Sequence, residues 1–196
     1  MTAWEKFFDE KIRLVAQGKE ILDVGGAGGF IKLLAPYEHL FKDSRYRSLD
    51  ISAEAHPDIV GDIHNLPVPE NSLDGVICIC VLEHVENPKK AMDEIQRVLK
   101  PGGQCLLYAP FLHPYHAREG VYNYKDYYRY SRDGLSHLAR NFSKVEMSPV
   151  RLFFETWFYL LPNPLGKIFM PLGRFLDFIV RPKGNQTSGF YLYLVK

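Results

Sequence analysis

The sequence predicts a doubly wound α/β fold. Strand-like apolar runs alternate with helix-like segments between residues 20 and 109, and the connections between them are short. The run GVICICV, residues 75–81, is apolar without alternation, as is typical of a parallel strand buried on both faces. A length of 196 residues predicts one domain, residues 1–196, with room for a sizeable core.

The first segment, residues 1–19, is predicted to be an amphipathic helix. Its apolar side chains recur at helical spacing, whereas acids and lysines fall on the other faces. Gly18 ends the pattern. The apolar stripe consists of Trp4, Phe8, Ile12 and Val15.

A glycine-rich turn follows the first strand. The strand is predicted over residues 20–24, and the five small residues 25–29 form the turn. A helix is predicted to run to about Leu34, and Pro36 limits or kinks it. Small residues let a ligand lie close to the backbone, and turns of this kind bind nucleotide-like ligands. Such turns also serve structure alone, so later segments must identify the ligand.

The remaining elements continue the alternation. Asn87-Pro88 begins a helix, with Asn as the cap and Pro in the first turn, and residues 101–103 end it. Ser131 caps a later helix. Further strands are predicted over residues 46–49, 59–60, 104–109, 145–152 and 190–195.

The charge distribution limits the partners. A net charge of +1 argues against a molecule built as a whole to hold nucleic acid. Residues 1–117 carry 12 basic and 17 acidic side chains, whereas residues 118–196 carry 12 and 6. The basic, aromatic second part therefore meets an anionic surface or substrate, or is simply a solvated face.

The cysteines suggest no covalent or metal framework. Their number is odd and no CxxC pair is present, so neither a disulfide framework nor a zinc site is predicted, and no metal is expected. Cys78, Cys80 and Cys105 lie in apolar runs, and we expect buried thiols in a reducing compartment. The first residues carry acids and no long apolar run, which predicts no signal peptide and a cytoplasmic location.

Three acids stand at or just past predicted strand ends, where ligands bind in a doubly wound sheet. Asp50, after the second strand, can accept both hydroxyls of a ribose. Asp62, after the third, can accept the amine of adenine. Asp23 can accept from a ligand ammonium or orient the glycine turn. The alternative is that each acid caps a helix or turn.

Three blocks of the sequence carry a family resemblance. They are ILDVGGAGG, then SLDIS, then VGDIHNLPVPENSLDGVICICVLEHVENPKKAMDEIQRVLKPGGQCLLYAPF. Together they resemble the class I S-adenosylmethionine-dependent methyltransferases, type-11 group, over about residues 20–112. The resemblance implies a mostly parallel, seven-stranded Rossmann-like sheet with an antiparallel last strand, S-adenosylmethionine as cofactor, and methyl transfer as activity.

The resemblance also implies a cofactor site. The glycine turn would approach the methionine part of the cofactor. Asp50 and Ile51 would contact the ribose, and Asp62 and Ile63 would contact the adenine. Cys80 and Val81 would face the sulfonium. The turn departs from the family pattern DxGxGxG because Ala27 replaces the middle glycine; we expect Gly26 to absorb the adjustment. The implied turn and sulfonium-side residues are Asp23, Gly25, Gly26, Ala27, Gly29, Cys80 and Val81.

The transfer itself needs the acceptor, methyl and sulfur in line, and water excluded. For a hydroxyl acceptor a base assists, and His113 and His116 are the candidates because histidine titrates near neutrality. His84 is a candidate substrate contact, or it is structural. Residues 113–130 are too long for a plain connection and predict a lid over the acceptor-side half, residues 113–196. Three tyrosines of this lid are candidate substrate contacts, or they form the core of the loop itself: Tyr115, Tyr128 and Tyr130.

An apolar helical insertion, residues 153–181, precedes the last strand. Prolines and charges break it too often for a membrane span. It is a lid over the acceptor, an interfacial segment at the inner face of the membrane, or a dimer surface. In the interfacial reading Lys167, Arg174 and Arg181 face the headgroups. The predicted acceptor is small or linked to a lipid or glycan, with a quinone precursor next.

Two other functions compete. A nicotinamide-dependent oxidoreductase needs G-x-G-x-x-G, and the turn does not supply it, because Ile31 or Ala27 falls where a glycine belongs. A non-catalytic module that binds S-adenosylmethionine or a membrane would keep the three strand-end acids. A turnover assay separates such a module from an enzyme.

Overall fold

The computed structural model describes residues 1–30, 33–119 and 124–196. Its strands form one seven-stranded sheet in the order β3-β2-β1-β4-β5-β7-β6, in which β7 is antiparallel to both neighbours and the other pairs are parallel. The predicted fold class is confirmed. The strands are β1 (Glu20–Val24), β2 (Arg45–Asp50), β3 (Ile59–Val60), β4 (Leu73–Ile79), β5 (Leu99–Pro110), β6 (Lys144–Val150) and β7 (Gly189–Val195).

Helices cover both faces of the sheet. They are α1 (Ala3–Val15), α2 (Pro88–Val98), α3 (Arg132–Leu138), α4 (Phe153–Tyr159) and α5 (Leu165–Val180). Successive side chains of a strand point to opposite faces. In β4, Val76 accordingly packs in the cluster that contains α2, whereas Ile77 packs in the cluster that contains α1.

The caps follow the predicted chemistry. Thr2 and Glu5 form a reciprocal capping box at the start of α1. The Asn87 side chain accepts from Lys90 N at the start of α2, with proline in the first turn. The Ser131 side chain likewise accepts a backbone hydrogen bond at the start of α3.

The segment after the glycine turn differs from the prediction. Part of the predicted helix, residues 31–32, lies outside the described residues, and Leu33 and Leu34 form a turn and a bend. A 3-10 helix, Ala35–Phe41, follows, with Pro36 in its first turn. Proline fixes φ near the helical value and lacks only an N–H that a first turn does not use, so here it begins a helix.

One cysteine prediction is wrong. Cys78 and Cys105 are buried, but Cys80 is exposed. It lies just beyond the end of β4 and has φ +57°, so the alternation of the strand no longer directs its side chain inward. Burial raises the pKa of the Cys78 and Cys105 thiols.

The insertion folds into α4 and α5, which pack closely together. A Cβ at Gly173 would lie 2.8 Å from Glu155 Cα. The buried Asp177 carboxylate of α5 accepts from Phe154 N and Glu155 N, so it caps the first turn of α4. Among the described residues, no helix combines the length and apolarity needed to cross a membrane.

Candidate active site

The parallel strands bring the predicted cofactor residues to one edge of the sheet. Gly25 N donates to Leu49 O at 2.7 Å, which joins the end of β1 to the end of β2. A Cβ at Gly25 would lie 2.4 Å from Val81 Cγ2, and Gly25 has φ +73°. Glycine is therefore required there, because the turn after β1 and the loop after β4 touch.

Asp23 supports the turn from beneath. It is buried, and its Oδ2 accepts from the Tyr46 hydroxyl. A Cβ at Gly26 would overlap this carboxylate. Burial raises the pKa of Asp23 to about 7. The described contacts favour the predicted role of Asp23 in orienting the turn.

The expectation that Gly26 absorbs the departure at Ala27 is wrong. Positive φ values occur at Gly25, Ala27 and Gly29, and Ala27 itself has φ +47°. Glycine is required at position 26 for another reason, because the Asp23 carboxylate lies too close for a Cβ there. Ala27 thus holds a left-handed conformation that costs an alanine about 1–2 kcal/mol.

We expect Ala27→Gly to stabilise the fold by up to about 1 kcal/mol, because relief of the left-handed strain exceeds the added freedom of the unfolded chain. Urea unfolding measures the change. The matched control is Ala16→Gly, since Ala16 has φ −67° and should lose stability on the same substitution. Equal losses in both variants would contradict the strain at Ala27.

The residues predicted to contact ribose and adenine lie at or near the ends of β2 and β3. Asp50 Oδ1 accepts from Ser52 N at 3.0 Å, and Ile51 is 68% exposed. Asp62 Oδ1 accepts from His64 N at 2.9 Å and caps a short 3-10 helix. Ile63 is buried in the core, so a contact with adenine would use its backbone, whereas Ile51 offers its side chain.

The predicted substrate contact His84 lies in the segment directly after β4. Glu83 and His84 lie in a 3-10 helix, Leu82–His84, and the Glu83 side chain is fully buried. The His84 ring packs at 4.7 Å from the His116 ring, which belongs to the predicted lid. His84 and His116 are therefore brought together, although 31 residues separate them in the chain.

The second part of the predicted lid is tied to the segment after β4. Tyr127 N donates to Glu83 O at 2.7 Å, and the Tyr128 hydroxyl donates to Glu86 O at 2.9 Å. Tyr130 is buried and its hydroxyl donates to Leu82 O at 2.6 Å, so it anchors this segment. The roles of the tyrosines toward a substrate stay predictions. Residues 120–123 of the predicted lid lie outside the described residues.

The other end of the lid lies closer to solvent and to the insertion. Tyr115 is 75% exposed. His113 Nδ1 faces Pro114 O at 2.9 Å, and because a carbonyl only accepts, Nδ1 carries the hydrogen. His113 Nε2 then accepts from the Tyr159 hydroxyl at 2.8 Å. Burial lowers the pKa of His113, which favours the neutral ring.

Tyr159 is the functional candidate that sequence reasoning missed. It ends α4, and its ring lies 4.2 Å from the Arg151 guanidinium. Burial raises the pKa of its hydroxyl. A tyrosine within an apolar run shows no distinguishing pattern, so only its contact with His113 in the folded protein reveals it.

His116 contacts the ion pair between Asp126 and Arg129. Asp126 Oδ2 accepts from His116 N at 2.9 Å, and Arg129 donates to both Asp126 oxygens. The Arg129 guanidinium lowers the pKa of Asp126 well below its usual range, and the nearby Glu83 carboxylate raises the pKa of His116. Both described parts of the lid therefore lie against Glu83: His116 lies near its carboxylate, and Tyr127 N donates to its backbone carbonyl.

The sequence comparisons with known proteins concern mainly the first part of the chain. A family model described as a methyltransferase domain matches residues 22–107. Demethylmenaquinone methyltransferase of Renibacterium salmoninarum is 34% identical over 119 residues, which cover 57% of this chain and 48% of that protein. The chain spans about half the length of the curated relatives it matches.

Solved structures share the whole fold. A SAM-dependent methyltransferase from Archaeoglobus fulgidus superposes with a TM-score of 0.58 at 14% identity, covering 100% of both chains. The cyclase SpnF superposes with a TM-score of 0.56 at 18% identity, covering 100% of this chain and 84% of its own. At these identities the likeness establishes the fold alone.

Proposed function

We propose that the protein is an S-adenosylmethionine-dependent methyltransferase that methylates a small apolar acceptor carried in a membrane, and we take as the premise that residues 22–107 match a family model described as a methyltransferase domain. Residues 20–112 would serve as the cofactor half and residues 113–196 as the acceptor half. The alternative of a nicotinamide cofactor has no support in the matched segment.

The residues present fit S-adenosylmethionine. The turn after β1 leaves no room for a Cβ at Gly25 or Gly26, and Asp50 places a carboxylate at the neighbouring strand end. These residues would hold the methionine part and the ribose. When bound, the cofactor supplies an already activated methyl group. The protein's own task is to align the acceptor and to exclude water.

On the acceptor side, His113 and Tyr159 form a pair that could hold a proton. The Tyr159 hydroxyl donates to His113 Nε2, and the neutral ring has one lone pair at that atom. If Tyr159 turned away, the same lone pair could accept the proton of an acceptor hydroxyl. Because Tyr159 belongs to the insertion, movement of α4 would control access to this base.

The observation that carries the acceptor proposal is the apolar outer face of α4 and α5, the two helices of the insertion to which Tyr159 belongs. Phe178 is 72% exposed and Trp157 is 62% exposed, and both side chains are large. Further exposed apolar side chains on this face are Leu165, Ile168, Phe169, Leu172, Phe175, Ile179 and Val180. A face this apolar would be stabilised by the acyl boundary of a bilayer.

Two of the three basic residues predicted to face lipid headgroups are available for that contact. Lys167 and Arg181 are exposed and can reach headgroups. Arg174, which the sequence placed with them, instead pairs with the buried Glu155 at 2.8 Å. Arg174 therefore fastens α5 to α4. A prenylated aromatic ring is the favoured acceptor, because a relative named for demethylmenaquinone is similar in sequence.

The test measures S-adenosylhomocysteine formed from S-adenosylmethionine with two acceptors. One is a polyprenylated, demethylated hydroquinone in anionic vesicles, and the other is the same ring without its chain in solution. We expect Phe178→Asp to slow turnover of the vesicle-borne acceptor at least tenfold, because insertion of one Phe contributes about 1.5–3 kcal/mol. Turnover of the soluble ring should stay within about twofold.

Val145→Asp is the matched control, since Val145 is exposed on β6, away from the insertion. It should leave both reactions unchanged. Turnover of a lipid-linked sugar but of neither ring would overturn the acceptor class. No product with any acceptor, together with intact cofactor binding, would favour the non-catalytic module.

A further inference from the structure

Three potential ligand atoms converge beside the candidate acceptor site. Glu83 Oε1 lies 3.5 Å from His116 Nε2 and 3.8 Å from His84 Nε2. All three ligand atoms lie within 4.8 Å of one another. Within the described part of the chain, both oxygens of the fully buried Glu83 carboxylate lack a hydrogen-bond partner. A buried carboxylate in this state is costly and requires compensation.

The outer contacts of the two histidines determine which nitrogens face inward. His84 Nδ1 lies 2.5 Å from Lys125 O, a group that only accepts, so this nitrogen carries the hydrogen. His116 Nδ1 lies 3.2 Å from Pro114 O and 3.3 Å from Asp126 Oδ2, again acceptors. In the neutral rings, both Nε2 atoms therefore carry a lone pair, and both lie within 4 Å of the Glu83 carboxylate.

Two lone pairs and a negative charge that face one another repel unless a cation lies among them. We propose that Glu83, His84 and His116 bind a divalent transition-metal ion of the Zn²⁺ class. Two imidazoles and one carboxylate suit such an ion, whereas Mg²⁺ and Ca²⁺ prefer oxygen ligands throughout. A proton shared by His116 and Glu83 is the competing cation.

The dimensions agree with a metal. Ligands at 2.0–2.1 Å in tetrahedral geometry stand about 3.3 Å apart. The Glu83–histidine distances of 3.5 and 3.8 Å are close to this value, and the two histidine ligand atoms, which lie within 4.8 Å of each other, would move closer on binding. Metal-binding histidines usually donate their other nitrogen to a carboxylate or carbonyl. Asp126, itself held by Arg129, and Lys125 O already occupy these outer positions.

The site has three protein ligands, which leaves at least one coordination position for another group. It lies between the segment after β4 and the lid, beside His113, whose ring is 4.6 Å from that of His116. An ion here could coordinate an oxygen of the acceptor. This last role rests on the proposed function, whereas metal binding itself does not.

The experiment titrates Zn²⁺ into the chelator-treated full chain, without cofactor or acceptor, by calorimetry. Visible absorption of Co²⁺ in the same site reports coordination independently of activity. We expect one equivalent to bind the wild type, with affinity reduced at least tenfold in Glu83→Gln and in His116→Gln. His137→Gln is the matched control because His137 is exposed on α3.

Circular dichroism checks the fold of each variant. If Glu83→Gln does not fold, His116→Gln decides, since His116 lies on the lid and is partly exposed. Absence of saturable Zn²⁺ or Co²⁺ binding to the wild type overturns the proposal in favour of the proton. Equal affinity in the wild type, His116→Gln and His137→Gln also overturns it. Zn²⁺ binding without any methyl transfer would leave the site valid and reject only the proposed function.

Discussion

Asp50→Ala is expected to weaken S-adenosylmethionine binding at least tenfold, which corresponds to about 1.4 kcal/mol or more. The carboxylate lies at the end of β2, and its Oδ1 is positioned by Ser52 N. Hydrogen bonds between a carboxylate and ribose hydroxyls are charge-assisted and contribute about 1.5–3 kcal/mol. Calorimetric titration with S-adenosylmethionine and with its demethylated product measures the loss.

Asp93→Ala is the control for charge. Asp93 lies on the exposed face of α2 and pairs with Lys89, so its removal should leave cofactor affinity unchanged. Equal affinities of wild type and Asp50→Ala would reject the ribose role of Asp50. Absence of binding to the wild type itself would reject the cofactor and return attention to nicotinamide cofactors.

Asp23 is expected to make the fold less stable as the pH rises from 5 to 7. Its pKa is about 7 in the folded protein and 3.8 in the unfolded chain. Between these values the unfolded chain has lost the proton and the folded protein still holds it, so the free energy of unfolding falls with increasing pH. The stabilising effect is complete below pH 3.8 and is lost as the pH passes 7. From pH 5 to 7 the fall is about 2 kcal/mol.

Asp23→Asn should remove this fall, because the amide resembles the protonated acid and does not ionise. Urea unfolding of the wild type and of Asp23→Asn at pH 5 and pH 7 separates the contribution of Asp23 to the pH dependence of the unfolding free energy from that of the histidines. Asp43→Asn is the control, since Asp43 is exposed and should keep the wild-type profile. A parallel fall in wild type and Asp23→Asn would show that burial does not raise the pKa of Asp23.

The sequence predicted the parts of the fold that depend on local pattern. The uninterrupted apolar run of β4 indicated a strand buried on both faces, and the glycine turn after β1 indicated close backbone approach. The failures are also local in origin. The pattern predicts that Pro36 limits or kinks a helix, whereas Pro36 lies in the first turn of one. The pattern also places Cys80 in a strand that ends at Ile79. Pattern identifies an element more reliably than its boundary.

Local pattern in the sequence determined the alternating strands and helices of residues 20–109 and the positions of the acids near the strand ends, because each follows from periodicity and turn chemistry within one short segment. The seven-stranded arrangement with its antiparallel last strand is what the family resemblance implied. Only the tertiary structure brought Glu83, His84 and His116 together and placed Tyr159 against His113. These contacts form because the lid and the insertion return to the sheet edge from distant parts of the chain. Such a return depends on packing between segments, which no local pattern specifies.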